Sequence, residues 1–231
     1  MKKLLVLMLS IASVLLMAAF ASAVEPAGAN VLNQLNQGEF QVAAAENVTV
    51  EAGNITEANL STNISTYRWA AIFGLAGGEM KLGDDDNNIL YDWAADGRVV
   101  YACEDPNPTW ADFTEANEAA VTGVYTFLAG ATNSDSYSNT FANSDTLDSG
   151  IFAGATTPGA GDYVDTYNDA EVATWRTFSL WDTANIIFAA EVQESGTSYS
   201  GTTTDFQLLV PEDGTAGDAA ASIYWLWLEL I

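Results

Sequence analysis

The sequence predicts an all-β domain, an antiparallel β-sandwich of jelly-roll or immunoglobulin-like type with long polar loops and little helix. Short runs of alternating apolar and polar residues, typical of half-buried strands, recur along the chain. Turns rich in Gly, Asp and Asn separate these runs. No segment of ordinary helix length repeats its apolar residues with a period of 3.6, so the prediction contains no substantial helix.

Residues 67–104 are predicted to form the centre of this domain as a meander of four strands. Gly77-Gly78 and the loop 83–88 separate the first three strands, and Asp96-Gly97 is a typical hairpin turn before the fourth. Apolar side chains of the first three strands fall on one face by alternation. We therefore expect these strands to supply the hydrophobic framework of the sheet.

Further strands are predicted in the C-terminal third, at residues 174–181, 186–192, 205–210 and 222–231. The last of them is apolar on both faces, which is typical of a central strand covered on both sides. Residues 121–128 are predicted as another strand, and residues 129–161 as irregular loops with short strands. One sandwich fits the chain length, because such domains often run to about 200–250 residues; two small sandwiches are the alternative.

The first 23 residues are predicted to be a secretory signal peptide. Two lysines precede the apolar run 4–20, and residues 21–23 (Ala-Ser-Ala) form a small-x-small cleavage site. A membrane-anchoring helix is the alternative, but the run is short and no positive cluster follows it. We expect an N-terminal arm at residues 24–45 and a single β-sandwich domain at residues 46–231. We also expect the mature protein to have no membrane span and to be secreted or held at the extracellular cell surface.

The charge of the chain is strongly negative. It has 231 residues, of which 31 are acidic and 6 are basic, and its net charge is −25. Such a field repels nucleic acid and anionic lipid head groups, so neither is an expected partner. Two explanations of the charge stay open: solubility in salty water, where screening removes most of the self-repulsion, and cation binding.

The residue types exclude several classes of catalysis. The chain has no histidine, which excludes Ser-His-Asp and Cys-His catalysis and His-ligated zinc. Its one cysteine, Cys103, lies in an apolar run and predicts a buried free thiol without an internal disulfide. No G-x-S-x-G elbow or P-loop lysine occurs, and no spacing singles out a carboxylate pair. We predict that the protein is not an enzyme; an acid-pair glycosidase is the alternative.

A calcium site is predicted in the acidic loop of the central stretch. Asp84, Asp86 and Asn88 place oxygen ligands at every second position, which suits a hard cation. The loop is not an EF-hand, because its sixth position is Ile89 rather than Gly and its twelfth is Ala95 rather than Glu. The alternative is a solvated acidic loop and a protein without a cofactor.

Glycosylation is predicted in residues 47–65, which contain four N-x-[ST] sequons. The four acceptor residues are Asn47, Asn54, Asn59 and Asn63. Attachment of a glycan needs a loop or an edge that a glycosyltransferase can reach. The alternative is an unmodified polar edge strand rich in Thr, Val and Ile.

Two segments of the chain resemble small exported archaeal cell-surface β proteins of unassigned function. An early pattern of G-x-x-x-G and L-Y-D-W is matched by Gly74, Gly78, Leu82 and residues 90–93. A late pattern, F-Q-x-x-V-P followed by Y-W-x-W-x-E-L, is matched by residues 206–211 and 224–230. The resemblance covers about half of the chain, and it implies an extracellular location rather than an activity.

These observations predict a non-catalytic structural protein of the cell surface that self-associates into filaments or an array by β-strand addition. The arm 24–45 is the predicted donor strand, and residues 222–231 are its predicted neighbour. The alternative is a secreted calcium- or carbohydrate-binding β-sandwich module. In that module the stacking candidates for a glycan are Trp110, Trp175 and Trp181, for which core packing is the other interpretation.

Overall fold

The computed structural model describes residues 25–30, 32–35, 37–38, 40–41, 44–110, 114–146, 160–214 and 221–230. Its regular structure is mostly β and its sheets are antiparallel, which confirms the predicted all-β, sandwich-like fold. The predicted signal peptide and part of the predicted arm lie outside the described residues.

The described residues contain fourteen strands. The first seven are β1 (Ala27–Gly28), β2 (Trp69–Gly74), β3 (Gly78–Gly83), β4 (Ile89–Ala95), β5 (Gly97–Cys103), β6 (Thr114–Glu115) and β7 (Asn143–Thr146). The others are β8 (Ala160–Tyr167), β9 (Ala173–Trp181), β10 (Ile186–Glu191), β11 (Gly196–Thr197), β12 (Thr203–Thr204), β13 (Phe206–Pro211) and β14 (Trp225–Leu230). Between β6 and β7 lie two short α-helices, α1 (Glu118–Val124) and α2 (Tyr137–Thr140), and a 3-10 turn (Thr126–Leu128).

The main sheet has the strand order β1–β14–β5–β10–β9–β8–β7, and β6 also pairs with β9. At its centre β9 and β10 form a hairpin in which Trp181 is paired with Ile186. Asp182 closes the hairpin turn, because its Oδ1 accepts the N–H groups of Ala184 (2.9 Å) and Asn185 (2.6 Å). All residues of β10 except the last are buried, so this strand is covered on both faces.

A ribbon of β2 and β13 forms the second layer and packs on β9 and β10 across one face of the main sheet. Beside it, the ring of Phe188 lies 6.2 Å from that of Tyr125 and 6.1 Å from that of Phe141, between centroids. Apolar side chains fill the space between the two layers, among them Trp69, Val100, Leu128, Ile186, Leu208 and Val210. This interlayer core is the main stabilising element of the sandwich.

The opposite face of the main sheet carries a second apolar core. Its buried members are Val99, Tyr101, Cys103, Phe178, Leu180, Ile187, Ala189 and Trp227. Trp110 packs edge-on against it, with its ring centroid 5.1 Å from Tyr101 and 5.4 Å from Trp227. Cys103 is free and buried, as predicted for this thiol.

The predicted four-stranded meander is wrong, although four strands occur at the predicted places. Among the described residues β3 and β4 pair only with each other, whereas β2 pairs with β13 and β5 lies between β14 and β10. Both faces of β5 are apolar, so this strand buries more surface inside the main sheet than it would beside the exposed strand β4. Asp96-Gly97 therefore connects strands of two different sheets.

The strand predicted at residues 121–128 is also wrong, because these residues form most of α1 and the 3-10 turn. Asn117 caps α1: its side-chain oxygen accepts the N–H of Ala120 at 3.0 Å. Val121, Tyr125 and Leu128 are buried, and their i, i+4, i+7 spacing is that of a helical face. Within the described parts of the chain, no helix is long and apolar enough to cross a membrane.

Candidate functional site

Among the residues that the structure describes, strand β14 has little cover on its outer side. On its inner side it pairs with β5 along its whole length, and on its outer side it pairs with β1. The contacts with β1 are the residue pairs Ala27–Leu228 and Gly28–Trp227 and a hydrogen bond from the Ala29 N–H to the Leu226 carbonyl (2.9 Å). β14 has a strand on each side and an apolar core on each face, as predicted for residues 222–231. It nevertheless lies one strand from the sheet edge, and half of Trp225 is exposed.

An open groove of about 690 Å³ lies beside this outer edge, and we call it the β14 groove. Apolar side chains supply much of its lining: Leu75, Val100, Phe206, Leu226, Leu228 and Leu230. Gly78 allows β3 to approach β14 closely, because a Cβ at this position would lie 2.8 Å from Cδ1 of Leu230. Strand β1 itself fills little of the groove, since Ala27 and Gly28 have almost no side chain, and the residues after it add Ala29, Asn30 and Leu32 to the lining.

Residues 44–66, which we call the N-terminal segment, contain no helix or strand. The whole segment is exposed except for Ser65, which is half-buried. Its large apolar side chains are also exposed, namely Val48, Val50, Ile55, Leu60 and Ile64.

The N-terminal segment is anchored to the folded domain at its last residue. The hydroxyl of Thr66 donates to Oδ2 of Asp135 at 2.9 Å, and Nε1 of Trp69 donates to the Asp135 carbonyl at 2.8 Å. This anchor lies at the start of β2, whereas the β14 groove is lined by residues 75–78, which follow the end of β2. A six-residue strand is about 20 Å long, so the anchor and the groove are well separated.

All four predicted glycosylation residues lie in the N-terminal segment and are exposed; they are Asn47, Asn54, Asn59 and Asn63. The polar edge strand considered for this stretch is not found in the described residues. Asn54 lies in a tight turn, where its N–H donates to the Glu51 carbonyl at 3.2 Å. Gly53 permits this turn with a φ of +87°. The first sequon is therefore separated from the last two by a turn.

The predicted calcium ligands lie in the exposed loop between β3 and β4. Oδ1 of Asp84 accepts the N–H groups of Asp86 (3.1 Å) and Asn88 (2.8 Å), and its Oδ2 accepts Nδ2 of Asn88 (2.9 Å). These hydrogen bonds, with that of the Asn88 side chain first, lower the pKa of Asp84. The loop is thus closed by its own contacts. In the described ranges no group of three or more Asp, Glu, Cys or His side chains is arranged to hold a metal. Calcium binding stays a prediction.

The three tryptophans considered for sugar stacking are buried or half-buried. Trp175 is buried and its Nε1 donates to the Thr197 carbonyl at 3.0 Å. Trp110 and Trp181 are half-buried, and both pack against the apolar cores. Their positions favour the core-packing interpretation.

A small cleft that the sequence did not predict lies between β2, the end of β8 and the turn after β11. Its volume is about 140 Å³, and the exposed rings of Phe73, Tyr167 and Tyr199 border it. Gln207 supports the cleft: its Oε1 accepts the Tyr199 N–H at 2.9 Å and its Nε2 donates to the Tyr167 carbonyl at 3.0 Å. The one sequence signal was an isolated aromatic residue, Tyr199, in a turn rich in Gly, Ser and Thr.

Comparisons of the chain with protein-family models, with curated proteins and with solved structures found no match. The function is therefore inferred from the geometry of the described residues. Three features bear on it most directly: the short cover on β14, the β14 groove, and the exposed N-terminal segment.

Proposed function

We propose that the protein is a secreted, non-catalytic structural protein of the cell surface that self-associates into filaments or an array by β-strand addition. The outer edge of β14 carries the proposal, because β1 pairs with two of its six residues and the open β14 groove lies beside it. A strand from a neighbouring subunit would satisfy the N–H and C=O groups of this edge and fill the groove with its side chains.

The N-terminal part of the neighbouring subunit supplies this strand. The predicted arm 24–45 pairs with β14 inside one chain through β1, which supports the same edge as the acceptor between chains. Strand exchange between identical chains replaces a contact with a similar one. Here the displaced contact is short: two paired residues and the hydrogen bond from the Ala29 N–H to the Leu226 carbonyl. The exposed apolar side chains of the N-terminal segment become buried in the process.

The separation of the donor and the acceptor supports a head-to-tail arrangement. The N-terminal segment leaves the folded domain at the start of β2, beside Asp135, and the β14 groove lies past the end of β2. A contact between two different surfaces of identical subunits repeats indefinitely when the rotation does not close a ring. Such a contact produces filaments, or an array when filaments associate laterally.

The extracellular location rests on the sequence. The signal-peptide pattern, the four exposed sequons and the resemblance to exported archaeal β proteins all support it. Glycans on the N-terminal segment would lie on the surface of the assembled structure.

A disulfide that fixes β1 to β14 within one chain tests the proposal. Ala27 and Leu228 are paired residues, and the Cα atoms of hydrogen-bonded pairs are about 5.5 Å apart, which suits a disulfide. In a Cys103→Ala background, we expect the oxidised Ala27→Cys/Leu228→Cys protein to remain monomeric and the reduced protein to form polymers. Size-exclusion chromatography and electron microscopy of the mature chain measure this. Equal assembly of both forms, or monomers in every sample including the wild type, contradicts the proposal.

A carbohydrate-binding module is a second candidate, favoured by the aromatic cleft at Tyr199. Exposed aromatic rings offer apolar faces on which sugar rings stack. Binding on a glycan array that Tyr199→Ala abolishes would support this function, and an array without hits would argue against it.

Calorimetric titration with calcium tests the Asp84 loop in the same way, with Asp84→Ala as the control; no heat at millimolar calcium argues against that site.

A further inference from the structure

We propose that the inserted strand is residues 58–66 of a neighbouring copy, and that it enters the β14 groove in one orientation. Leu60 and Ile64 face the groove, and the sequon residues Asn59 and Asn63 face solvent. The inference rests on the proposed function and adds the identity of the donor strand and the direction of its side chains.

Charge distinguishes residues 58–66 from the rest of the N-terminal segment. The chain has a net charge of −25, yet this run of nine residues, ANLSTNIST, contains no charged residue. The preceding part of the segment contains Glu46, Glu51 and Glu57. An uncharged strand enters an apolar groove without the cost of burying a carboxylate, and it does not add to the repulsion between two acidic subunits.

The alternation of side chains determines which face is buried. In a strand, successive side chains point to opposite sides, so Leu60, Thr62 and Ile64 share one face. Asn59 and Asn63 share the other face. The side chains of Leu60 and Ile64 are 93% and 74% exposed in the single chain. Insertion buries both of them beside the leucines of β14 and leaves any glycan on the two sequons in solvent.

Strand β1, which pairs with β14 within the single chain, leaves space in the β14 groove for the side chains of residues 58–66. β1 presents Ala27 and Gly28 to the outer edge of β14, and neither side chain fills the groove between Leu75 and Leu228. Larger side chains at alternate positions of the incoming strand would occupy this space. The donor therefore gains apolar contacts that β1 does not make.

The length of the run also fits the acceptor. Nine extended residues span about 30 Å, and the six residues of β14 need about 20 Å. Thr66, the last residue of this run, is held on Asp135 of its own domain, so Ser65 is the one residue between the buried Ile64 and the anchor. A short link holds successive subunits in close and defined contact.

Two substitutions with the same added charge at adjacent positions test the orientation in protein produced without glycosylation, because Ser61 belongs to the Asn59 sequon. Leu60→Asp places a carboxylate in the groove, whereas Ser61→Asp places it in solvent. We expect Leu60→Asp to reduce polymer mass about tenfold at a fixed protein concentration, because a buried carboxylate opposes insertion, and Ser61→Asp to assemble like the wild type. Both residues are exposed in the monomer, so both variants should unfold at the wild-type temperature. Equal assembly of the two variants overturns the inference.

Cross-linking between two differently tagged chains identifies the donor strand. One Cys103→Ala chain carries Leu228→Cys, and the other carries a single cysteine at one position from 58 to 66. We expect a disulfide-linked dimer from one of positions 60, 62 and 64, the one paired with residue 228, and none from 59, 61 and 63. Cross-linking between chains from Ala27→Cys instead, with none from residues 58–66, overturns the inference and leaves strand addition intact. Wild-type chains that stay monomeric and form no cross-link between chains overturn both.

Discussion

Two strands of similar composition, β10 and β4, lie in opposite environments. β10 reads IIFAAE, and five of its six residues are buried. β4 reads ILYDWAA, and six of its seven residues are exposed, including Leu90 at 79% and Trp93 at 46%. β10 is paired on both sides and lies under the β2–β13 ribbon, whereas β4 pairs with β3 alone in the described part of the chain. Apolar content therefore did not decide burial; the number of neighbouring strands and layers did.

The same contrast divides the whole chain. The two-layered part buries its apolar residues in two cores. The β3–β4 ribbon and the N-terminal segment leave theirs in solvent. These exposed apolar side chains are the basis of the proposed assembly.

The largest expected difference between the two regions comes from truncating one large side chain in each. Phe188→Ala opens a cavity in the interlayer core and should lower the free energy of unfolding by about 3–5 kcal/mol. Trp93→Ala removes a side chain that is nearly half exposed and should cost less than about 1 kcal/mol. Urea unfolding at concentrations where the protein is monomeric measures both. Similar losses for the two variants would show that β4 is buried in the monomer.

Two aspartates that close turns give the next comparison. Asp182 closes the β9–β10 turn and also accepts the Thr109 N–H at 2.8 Å, in a buried position. Asp84 closes the β3–β4 turn in solvent. Asp182→Ala removes the acceptor of three partly buried hydrogen bonds, from the N–H groups of Thr109, Ala184 and Asn185, and should cost about 2 kcal/mol. Asp84→Ala should cost clearly less because water replaces the lost contacts. Thermal unfolding of the two variants measures which one loses more stability. A larger loss for Asp84→Ala than for Asp182→Ala would contradict the buried position of Asp182.

The smallest expected effect is the pH dependence of the stability that Asp182 contributes. Burial opposes the ionisation of Asp182, but the N–H groups of Thr109, Asn185 and Ala184 outweigh it and lower the pKa. A lowered pKa in the folded state contributes stability above the ordinary value of 3.8, and this contribution disappears as the pH falls through the folded-state pKa. The stability gap between the wild type and Asp182→Ala should therefore be constant near neutral pH and should narrow under acid. A stability difference that increases at acid pH would contradict the lowered pKa of Asp182.

Local patterns predicted the strands better than their partners. The alternation in residues 67–104 located β2, β3, β4 and β5, but the turns between them did not reveal which strands pair. β2 pairs with β13, more than 130 positions later, because each of these strands supplies an apolar face to the same core. Partner choice depends on burial summed over the whole chain, and a single turn contributes little to that sum.

Part of the candidate site could be predicted from the sequence. Alternation and composition indicated both the arm and the last strand, and these pair through β1 and β14. The β14 groove was not predictable, because residues from β5, β13, β14 and the β2–β3 connection meet there only in the folded chain. The helix at residues 118–124 was missed because the apolar run that follows its first turn resembles a strand. In the folded chain, Asn117 caps this segment and favours the helix.

The sequence by itself determined the class of the fold, the strongly acidic charge, the lack of histidine chemistry and the positions of the sequons. These properties depend on residue type or on neighbours in the chain, so they can be found without coordinates. Tertiary structure alone decided that β10 is covered twice, that β4 is exposed, and that β14 has a short cover beside an open groove. The physical reason is that burial and edge exposure depend on contacts between distant segments, and similar apolar strands compete for the same few central positions.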